Sequence, residues 1–434
     1  MTNPENLYFE YVQQHLNPLG IRRAALSLTP FLCSQKLYSQ FSQIAVSYGK
    51  ILEYVFQRYE KDPRIREVLD YEGNLENHLK KMTVYPENMA FARLDTFITE
   101  DGLRMVESNT ETPGGNEEQT ALETGFLEIV GLEGCKQLSR LEVVFKTLMH
   151  HYKIQAEYKG LPVKKHPTIN LITWQWDIDR IRGEYDVLIN YIQKQGFLCD
   201  IIDPNKLVFE GKDVFNPEND TQVDLLYRRF TTDELPKHAD KGFELAKQMN
   251  DANIAVVNPF CTKRVDSKNI MVLVKDDIYT DVFSPEILEH VRTIRDVLPW
   301  TLKVAAEMIV DGKPIDGRKF LMQEKDRLVL KHANSYSSVS VYLGEDHTDE
   351  QWKEIVDEAL KGDHIVQEEI KLPTMPVTLF DGTAKETYDL IYNVNPYMFN
   401  NQFGGIYVRA STDKLTSFKV GGVATVLPVF LKNT

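Results

Sequence analysis

The segment ARLDTFITEDGLRMVESN, Ala92 to Asn109, sets Arg93, Asp95, Glu107 and Asn109 among apolar residues. It reads as two short strands joined by a turn. Alternate residues of a strand share a face, so Arg93 points with Asp95, and Glu107 with Asn109. Whether the two pairs meet depends on the turn. A two-residue Asp101-Gly102 turn puts Glu100 opposite Leu103 and keeps Asp95 away from Glu107. A three-residue turn, Glu100-Asp101-Gly102, puts Thr99 opposite Leu103, with Gly102 in the left-handed position. Asp95 then faces Glu107, and Arg93 faces Asn109. Facing carboxylates repel by a few tenths to about 1 kcal/mol, and a cation between them removes that repulsion. Two carboxylates and an amide oxygen are hard donors that suit Mg²⁺, which keeps waters or phosphate oxygens in its other positions. Arg93 beside them offers a bidentate fork for phosphate. A solvated hairpin face with cross-strand pairs accounts for the same four residues, and composition alone does not decide.

Two lysines stand at the edges of apolar runs. Lys268 opens SKNIMVLV, a strand or the start of a buried helix. Lys331 ends RLVLK before the small-residue stretch HANSYSSVS. A lysine so placed can reach a phosphate while backbone N–H groups and serine hydroxyls, among them Ser337 and Ser338, cradle another. Taken singly, each lysine also reads as a surface or snorkelling side chain. HIVQEEI, residues 364–370, reads as an edge or hinge strand. Its backbone through Gln367, Glu368 and Ile370 could pair with an adenine edge, and Glu369 could meet a ribose. In NQFGGIYVRAS, Gly404-Gly405 permits close backbone approach before Arg409 on the following strand. A structural ion pair is the alternative role for Arg409. The ten histidines fall into no metal-ligand spacing, and no GxSxG, HExxH or Walker A string occurs.

These residues need a scaffold. With 434 residues the chain suits two or three lobes. It is 42% hydrophobic and 26% charged, the composition of a folded protein. Its 50 basic and 64 acidic residues leave a formal net charge of −14, which argues against nucleic-acid and anionic-membrane partners. Any phosphate-binding cations must therefore be local. Cys33, Cys135, Cys199 and Cys261 lie far apart and form no CxxC pair, as in reduced intracellular proteins. With no basic leader and no long apolar run, the expected location is cytoplasmic.

Residues 1 to about 85 read as helical, led by the periodicity from Leu37 to Tyr59. After the hairpin, TETPGGNEEQT is a turn-rich loop that runs into a helix with acids in its first turn. From 166 to 256 the texture changes to PTINLITW, the helix DIDRIRGEYDVLINYIQKQG, then FLCDIID and QVDLLYRRF. That order predicts a small doubly wound α/β unit, without the GxGxxG of a dinucleotide site. From 257 onward short strands dominate, interrupted by the helices SPEILEHVRTIRDVLPW and TDEQWKEIVDEALKG. The expected division is a helical region with the hairpin at 1–165, the α/β unit at 166–256, and an α+β lobe with mostly antiparallel strands at 257–434.

In this order the motifs resemble the synthetase part of glutathionylspermidine synthase and its relatives, the circularly permuted ATP-grasp ligases. That family's metal signature is Arg-x-Asp, eleven residues, then Glu-x-Asn, as in RLD at 93–95 and ESN at 107–109. Its two nucleotide lysines match Lys268 and Lys331, its hinge strand IVQEEI, and its late Gly-Gly…Arg the stretch FGGIYVR ending at Arg409. The matches span about residues 90 to 420. HANSYSSVS departs from the family's Gly-rich phosphate loop, and TETPGGNEEQT departs from the polyamine enzyme.

The resemblance implies an α/β (α+β), circularly permuted ATP-grasp-like fold with an inserted small doubly wound domain and a helical N-terminal region. It implies an ATP-dependent carboxylate–amine ligase that forms an amide or peptide bond through an acyl phosphate and releases ADP and phosphate. Asp95, Glu107 and Asn109 would hold two Mg²⁺ ions. Lys268, Lys331, Ser337, Ser338, Gln367, Glu368, Glu369 and Ile370 would hold ATP. Arg93 and Arg409 would act at the transferring phosphoryl and acyl groups. The substrates would be a small-molecule or peptide carboxylate and an amine, and the assembly a homodimer. HANSYSSVS and TETPGGNEEQT are the lid candidates. A non-catalytic ATP/Mg²⁺-binding sensor or scaffold, and an adenylating ligase that releases AMP, are the competing readings.

Overall fold

The computed structural model describes residues 3–16, 25–69, 74–238, 242–310, 312–335, 340–416 and 422–433. A seven-stranded sheet has the long strand Lys385–Phe399 as its spine. One edge of that strand pairs with Gln402–Ser411. The other pairs first with Thr374–Phe380 and then with Phe91–Thr99, the first arm of the hairpin. Helix Gln35–Arg58 packs on this sheet. Ser34 caps it by accepting the Leu37 N–H, and Phe41, Ile44, Tyr48, Ile51, Leu52 and Val55 form its buried stripe.

The hairpin reaches the expected pairing by a different device. Thr99 pairs with Gly102, so the turn is the two residues Glu100 and Asp101, not the three ending at Gly102. Carried on unbroken, that register would set Asp95 opposite Val106 and send Glu107 to the other face. A bulge at Thr96–Asp95 absorbs Val106 instead. Asp95 thus pairs with Glu107, and Arg93 with Asn109. A bulge at Val106, between Met105 and Glu107, leaves no mark in the sequence, and a three-residue turn gives the same pairing.

A second sheet is parallel, in the order Ala255–Val257, Leu225–Arg228, Ile169–Ile172, Cys199–Ile202. Helix Gln175–Lys194 connects the last two strands. Its two central strands are buried at every residue, which is why they read as unbroken apolar runs. A third sheet is antiparallel and joins Thr301–Lys303, His364–Glu368, Leu328–His332 and Val341–Leu343. Helix Asp349–Ala359 starts on a capping box of Thr348 and Gln351. Its Trp352, Val356 and Ala359 close a separate small core with Leu302, Leu330 and Val366.

The run after Lys268, a strand or the start of a buried helix by its sequence, is the helix Asn269–Lys275. Asn269 to Val274 are all buried, and a continuous apolar run carries no period that separates helix from strand. No described helix is long and apolar enough to cross a membrane.

Candidate functional site

Asp95 lies at the meeting point of three strands. Arg93, two residues before it, donates from Nε to Oδ1 at 2.9 Å. Arg409, from the strand Gln402–Ser411, donates from Nη2 to Oδ2 at 2.8 Å. The Asn109 amide lies 3.5 Å from Oδ1. Burial works to raise the Asp95 pKa, but the two guanidiniums outweigh it and hold the carboxyl below its usual range. Arg93 also donates to the Gly114 carbonyl at 3.2 Å, which the Tyr397 hydroxyl meets from the spine strand at 2.6 Å.

Glu107, across the hairpin from Asp95, meets the Lys268 ammonium at 3.2 Å. Lys331 enters from the third sheet. Its ammonium donates to the Gln367 side chain at 2.7 Å and to the carbonyl of the bulged Val106 at 3.0 Å. The bulge therefore aligns the two carboxylates and also presents a carbonyl to the lysine. Lys331 is buried, and that burial pushes its pKa down to about 8, with Glu107 pulling upward and Lys268 adding to the depression.

The parts are tied together through buried polar contacts. The Thr110 N–H and hydroxyl, next to Asn109, both donate to Asp266 at 2.8 Å, two residues before Lys268. The Lys268 N–H donates to Ala333 O at 2.9 Å, two residues after Lys331. Asn258 clasps both hairpin ends: its Oδ1 accepts the Phe91 N–H, and its Nδ2 faces the carbonyls of Phe91, Thr110 and Glu111.

Arg93, Arg409, Lys268 and Lys331 thus surround two carboxylates, Asp95 and Glu107. The cluster is net positive within a chain of net charge −14, as a receptor for a multiply charged anion must be. Among the described residues no three His, Cys, Asp or Glu side chains form a metal-binding group. A Mg²⁺ ion here would rest on Asp95, Glu107 and the Asn109 oxygen and take its other oxygens from water or phosphate. The donor set fits that mode of binding, because Mg²⁺ is commonly held by one or two carboxylates plus substrate phosphates.

The hinge stretch divides its roles. Gln367 is buried and points inward, accepting from Lys331 and donating to the Thr301 hydroxyl at 3.0 Å. The N–H groups of Glu368 and Glu369 are bound to Trp300 O and Arg327 O, at 2.8 and 2.9 Å. Those two donors are therefore engaged within the protein. Glu368, Glu369 and Ile370 border a cavity of about 450 Å³ that reaches the hairpin tip at Thr99–Asp101. Burial and the facing Glu345 carboxylate push Glu369 up to about 7. Its carboxyl shares a hydrogen bond with Glu345, which adds to the upward shift. Lys414 binds Glu345 and Asp346 and so links the large sheet's final loop to the third sheet. Ser337 and Ser338 lie outside the described residues.

The close backbone approach expected at Gly404-Gly405 is made to the protein's own side chains. A Cβ on Gly404 would lie 2.2 Å from the Phe399 ring, and one on Gly405, where φ is +107°, would lie 2.9 Å from the Arg140 side chain. The buried Arg140 donates to Ile406 O and pairs with Glu123. Asn393 and Asn395 were missed from sequence. Asn395 accepts the Thr96 N–H at 3.1 Å and donates to Asn393 Oδ1, which stands 3.4 Å from Arg409 Nε. Their two-residue spacing in NVNPY puts them on one strand face, which was a readable signal.

Lys331 carries a pH prediction. A bound phosphate would stabilise its ammonium, so its pKa in the complex exceeds the free value of about 8. Nucleotide affinity is then full below that pH and falls as pH rises through it, by about tenfold between pH 7 and pH 9. Calorimetric titration of Mg·ADP across this range is the check. A flat profile would remove Lys331 from the phosphate site.

No protein-family model and no curated protein matches the sequence. Among solved structures, a glutathione synthetase-like effector from Globodera pallida superposes with a TM-score of 0.62 at 12% identity, covering 99% of this chain and 98% of that one. A Methylobacillus flagellatus protein named as a gamma-glutamylcysteine synthetase gives 0.46 at 11% identity, over 85% of this chain and 83% of that one. The ATP-grasp ligase PsnB, solved with its minimal precursor, gives 0.31 at 8% identity, over 62% and 91%. Of these, the first likeness is close enough to bear on the fold, and at its identity it speaks of the fold alone: the chain has an ATP-grasp-like fold.

Proposed function

We propose that the protein is an ATP-dependent carboxylate–amine ligase. The observation that carries this reading is the cradle itself: two facing carboxylates and an amide oxygen on a bulged hairpin, ringed by Arg93 of the hairpin and by one cation from each of three other segments. Lys268 and Lys331 would neutralise the inner phosphates of ATP. Arg93 and Arg409 would bind the γ-phosphoryl as it moves to the substrate carboxylate. A carboxylate oxygen attacks the γ-phosphorus and ADP leaves. An uncharged amine then attacks the acyl carbon, phosphate leaves, and the nitrogen gives up a proton. Mg²⁺, held by Asp95, Glu107 and Asn109, would supply charge neutralisation on the phosphates.

Glu369, on the wall of the cavity beside the hinge strand, supports a ribose there. The order of the segments, hairpin before lysines, supports the circularly permuted arrangement of the glutathionylspermidine synthase relatives. A small-molecule or peptide acid, an amine, two Mg²⁺ ions and a homodimer in the cytoplasm complete the proposal.

Nucleotide product analysis tests it. With Mg·ATP and pooled acids and amines, ADP and phosphate should accumulate together. AMP and pyrophosphate would indicate an adenylating ligase instead. Glu107→Gln should lower ADP release by at least about 100-fold, because it removes one of two metal carboxylates and frees Lys268. Unchanged turnover in that variant would defeat the metal assignment.

A further inference from the structure

Outside the cradle, one buried lysine faces a carboxylate from each of three segments. Lys263, on the 3₁₀ turn Phe260–Val265, has a side chain fully shielded from solvent. Its ammonium donates to Asp233 at 2.8 Å and to Asp266 at 3.4 Å, and lies 3.8 Å from Glu111. Asp233 follows the parallel strand Leu225–Arg228, Glu111 follows the hairpin, and Asp266 precedes Lys268. A charge away from water is held only where it is paired, and here the pairing is divided. Arg228 meets Glu111 at 2.8 Å, and the Thr232 N–H donates to both oxygens of that carboxylate, at 3.2 and 3.1 Å. Lys263 meets Asp266.

Asp266 uses its two oxygens differently. Oδ2 accepts from Lys263, and Oδ1 accepts both the N–H and the hydroxyl of Thr110 at 2.8 Å. Burial pushes this carboxyl up to about 6, while Lys263 pulls against the rise and so favours the charged acceptor. The Thr110 N–H belongs to the planar peptide that joins Asn109 to Thr110. Asn109 is the last residue of the strand Gly102–Asn109, so beyond it no ladder sets the chain direction. Asn258 holds the Thr110 and Glu111 carbonyls at 2.8 Å, and these belong to the next two peptides. The peptide at Asn109 itself is held by Asp266. Lys268, two residues after Asp266, has an anchor of its own, since its N–H donates to Ala333 O at 2.9 Å.

We propose that Lys263 is a positioning residue for the metal-facing oxygen of Asn109, acting through Asp266 and the Asn109–Thr110 peptide. The inference rests on the metal assignment of the ligase reading and adds a residue that takes no part in the chemistry itself. With the ammonium gone, Asp266 loses the partner that turns Oδ1 toward Thr110, and the peptide is free to rotate. Asn109 then presents its oxygen less often, and metal affinity falls. Metal-free nucleotide binding depends on the cradle's lysines and arginines and is left nearly intact.

Mn²⁺ serves as the metal probe, its binding to the ADP complex read by electron paramagnetic resonance, and metal-free ADP binding is read by calorimetry. Lys263→Met combined with Asp233→Asn takes away one charge of each sign, so the net charge of the cluster is unchanged. This variant should bind Mn²⁺ at least about tenfold more weakly than the native protein, with metal-free ADP affinity changed by less than about threefold. Asp233→Asn alone, which leaves Lys263 on Asp266, should match the native protein in both. In an Asn109→Ala background the same change at Lys263 should cost no further Mn²⁺ affinity, as expected of a residue that works through Asn109. Thr110→Val removes only the hydroxyl bond and should show the same split in smaller measure, which decides the matter if the first variant does not fold. Native Mn²⁺ affinity in the Lys263 variant, equal losses with and without metal, an additive loss in the Asn109→Ala background, no split in Thr110→Val, or no Mn²⁺ bound by the native ADP complex would overturn the proposal. The expected split in a protein that releases no ADP with any acid and amine would uphold the positioning role and count against the ligase reading.

Discussion

Asp95→Asn should lower the ligation rate by at least about 10²–10³-fold, while leaving the protein folded and able to bind nucleotide. The reason lies in charge. Asp95 is the shared counter-ion of Arg93 and Arg409, which bond to its two oxygens at 2.9 and 2.8 Å. Asparagine keeps an acceptor for one guanidinium and removes the charge that a metal needs. The two arginines then present uncompensated positive charge, so ADP without Mg²⁺ should bind at least as tightly as to the native protein. The metal-dependent gain in affinity should disappear. Calorimetry with and without Mg²⁺, beside an ADP-release assay, reads both effects. Native turnover in Asp95→Asn would remove the carboxylate from the chemistry. A variant that fails to melt cooperatively would mark Asp95 as structural.

Lys331→Met should weaken nucleotide binding by about 10- to 100-fold, the worth of one charge-assisted phosphate contact. The same variant should keep its stability without ligand. A buried ammonium whose pKa has been driven to about 8 sits in the folded protein at a cost, and methionine removes that cost while filling similar space. The folded state gives up the Lys331 proton near pH 8, but the unfolded chain holds it to its ordinary value of 10.5. Stability from this group is lowest below pH 8 and rises between those limits as the charge is lost. Lys331→Met should flatten that rise and also the pH dependence of nucleotide affinity. A large drop in melting temperature with unchanged affinity would show that Lys331 serves packing alone.

How far these features were legible varies with their physics. The four hairpin residues announced themselves because polar groups among apolar ones on a strand are costly unless used. Their meeting was inferred correctly but through the wrong turn, since the Val106 bulge has no residue signature. The parallel strands at 169–172 and 225–228 were readable because burial on both faces demands unbroken apolar runs. The helix after Lys268 was ambiguous for the same reason. At Gly404-Gly405 the close backbone approach is to Phe399 and Arg140 of the protein itself. Close backbone packing and close ligand approach ask for the same residue, so local sequence does not separate them.

The most direct test is mass analysis of the product. The native protein is incubated with ATP, Mg²⁺ and pooled metabolites, with Asp95→Asn run in parallel. The expected result is a new species with the mass of an acid plus an amine minus water, formed with one ADP per molecule and absent from the variant. Protection of the protein from melting by ATP, with no coupled product and no ADP from any pool, would contradict it and leave a nucleotide-binding protein without ligase chemistry.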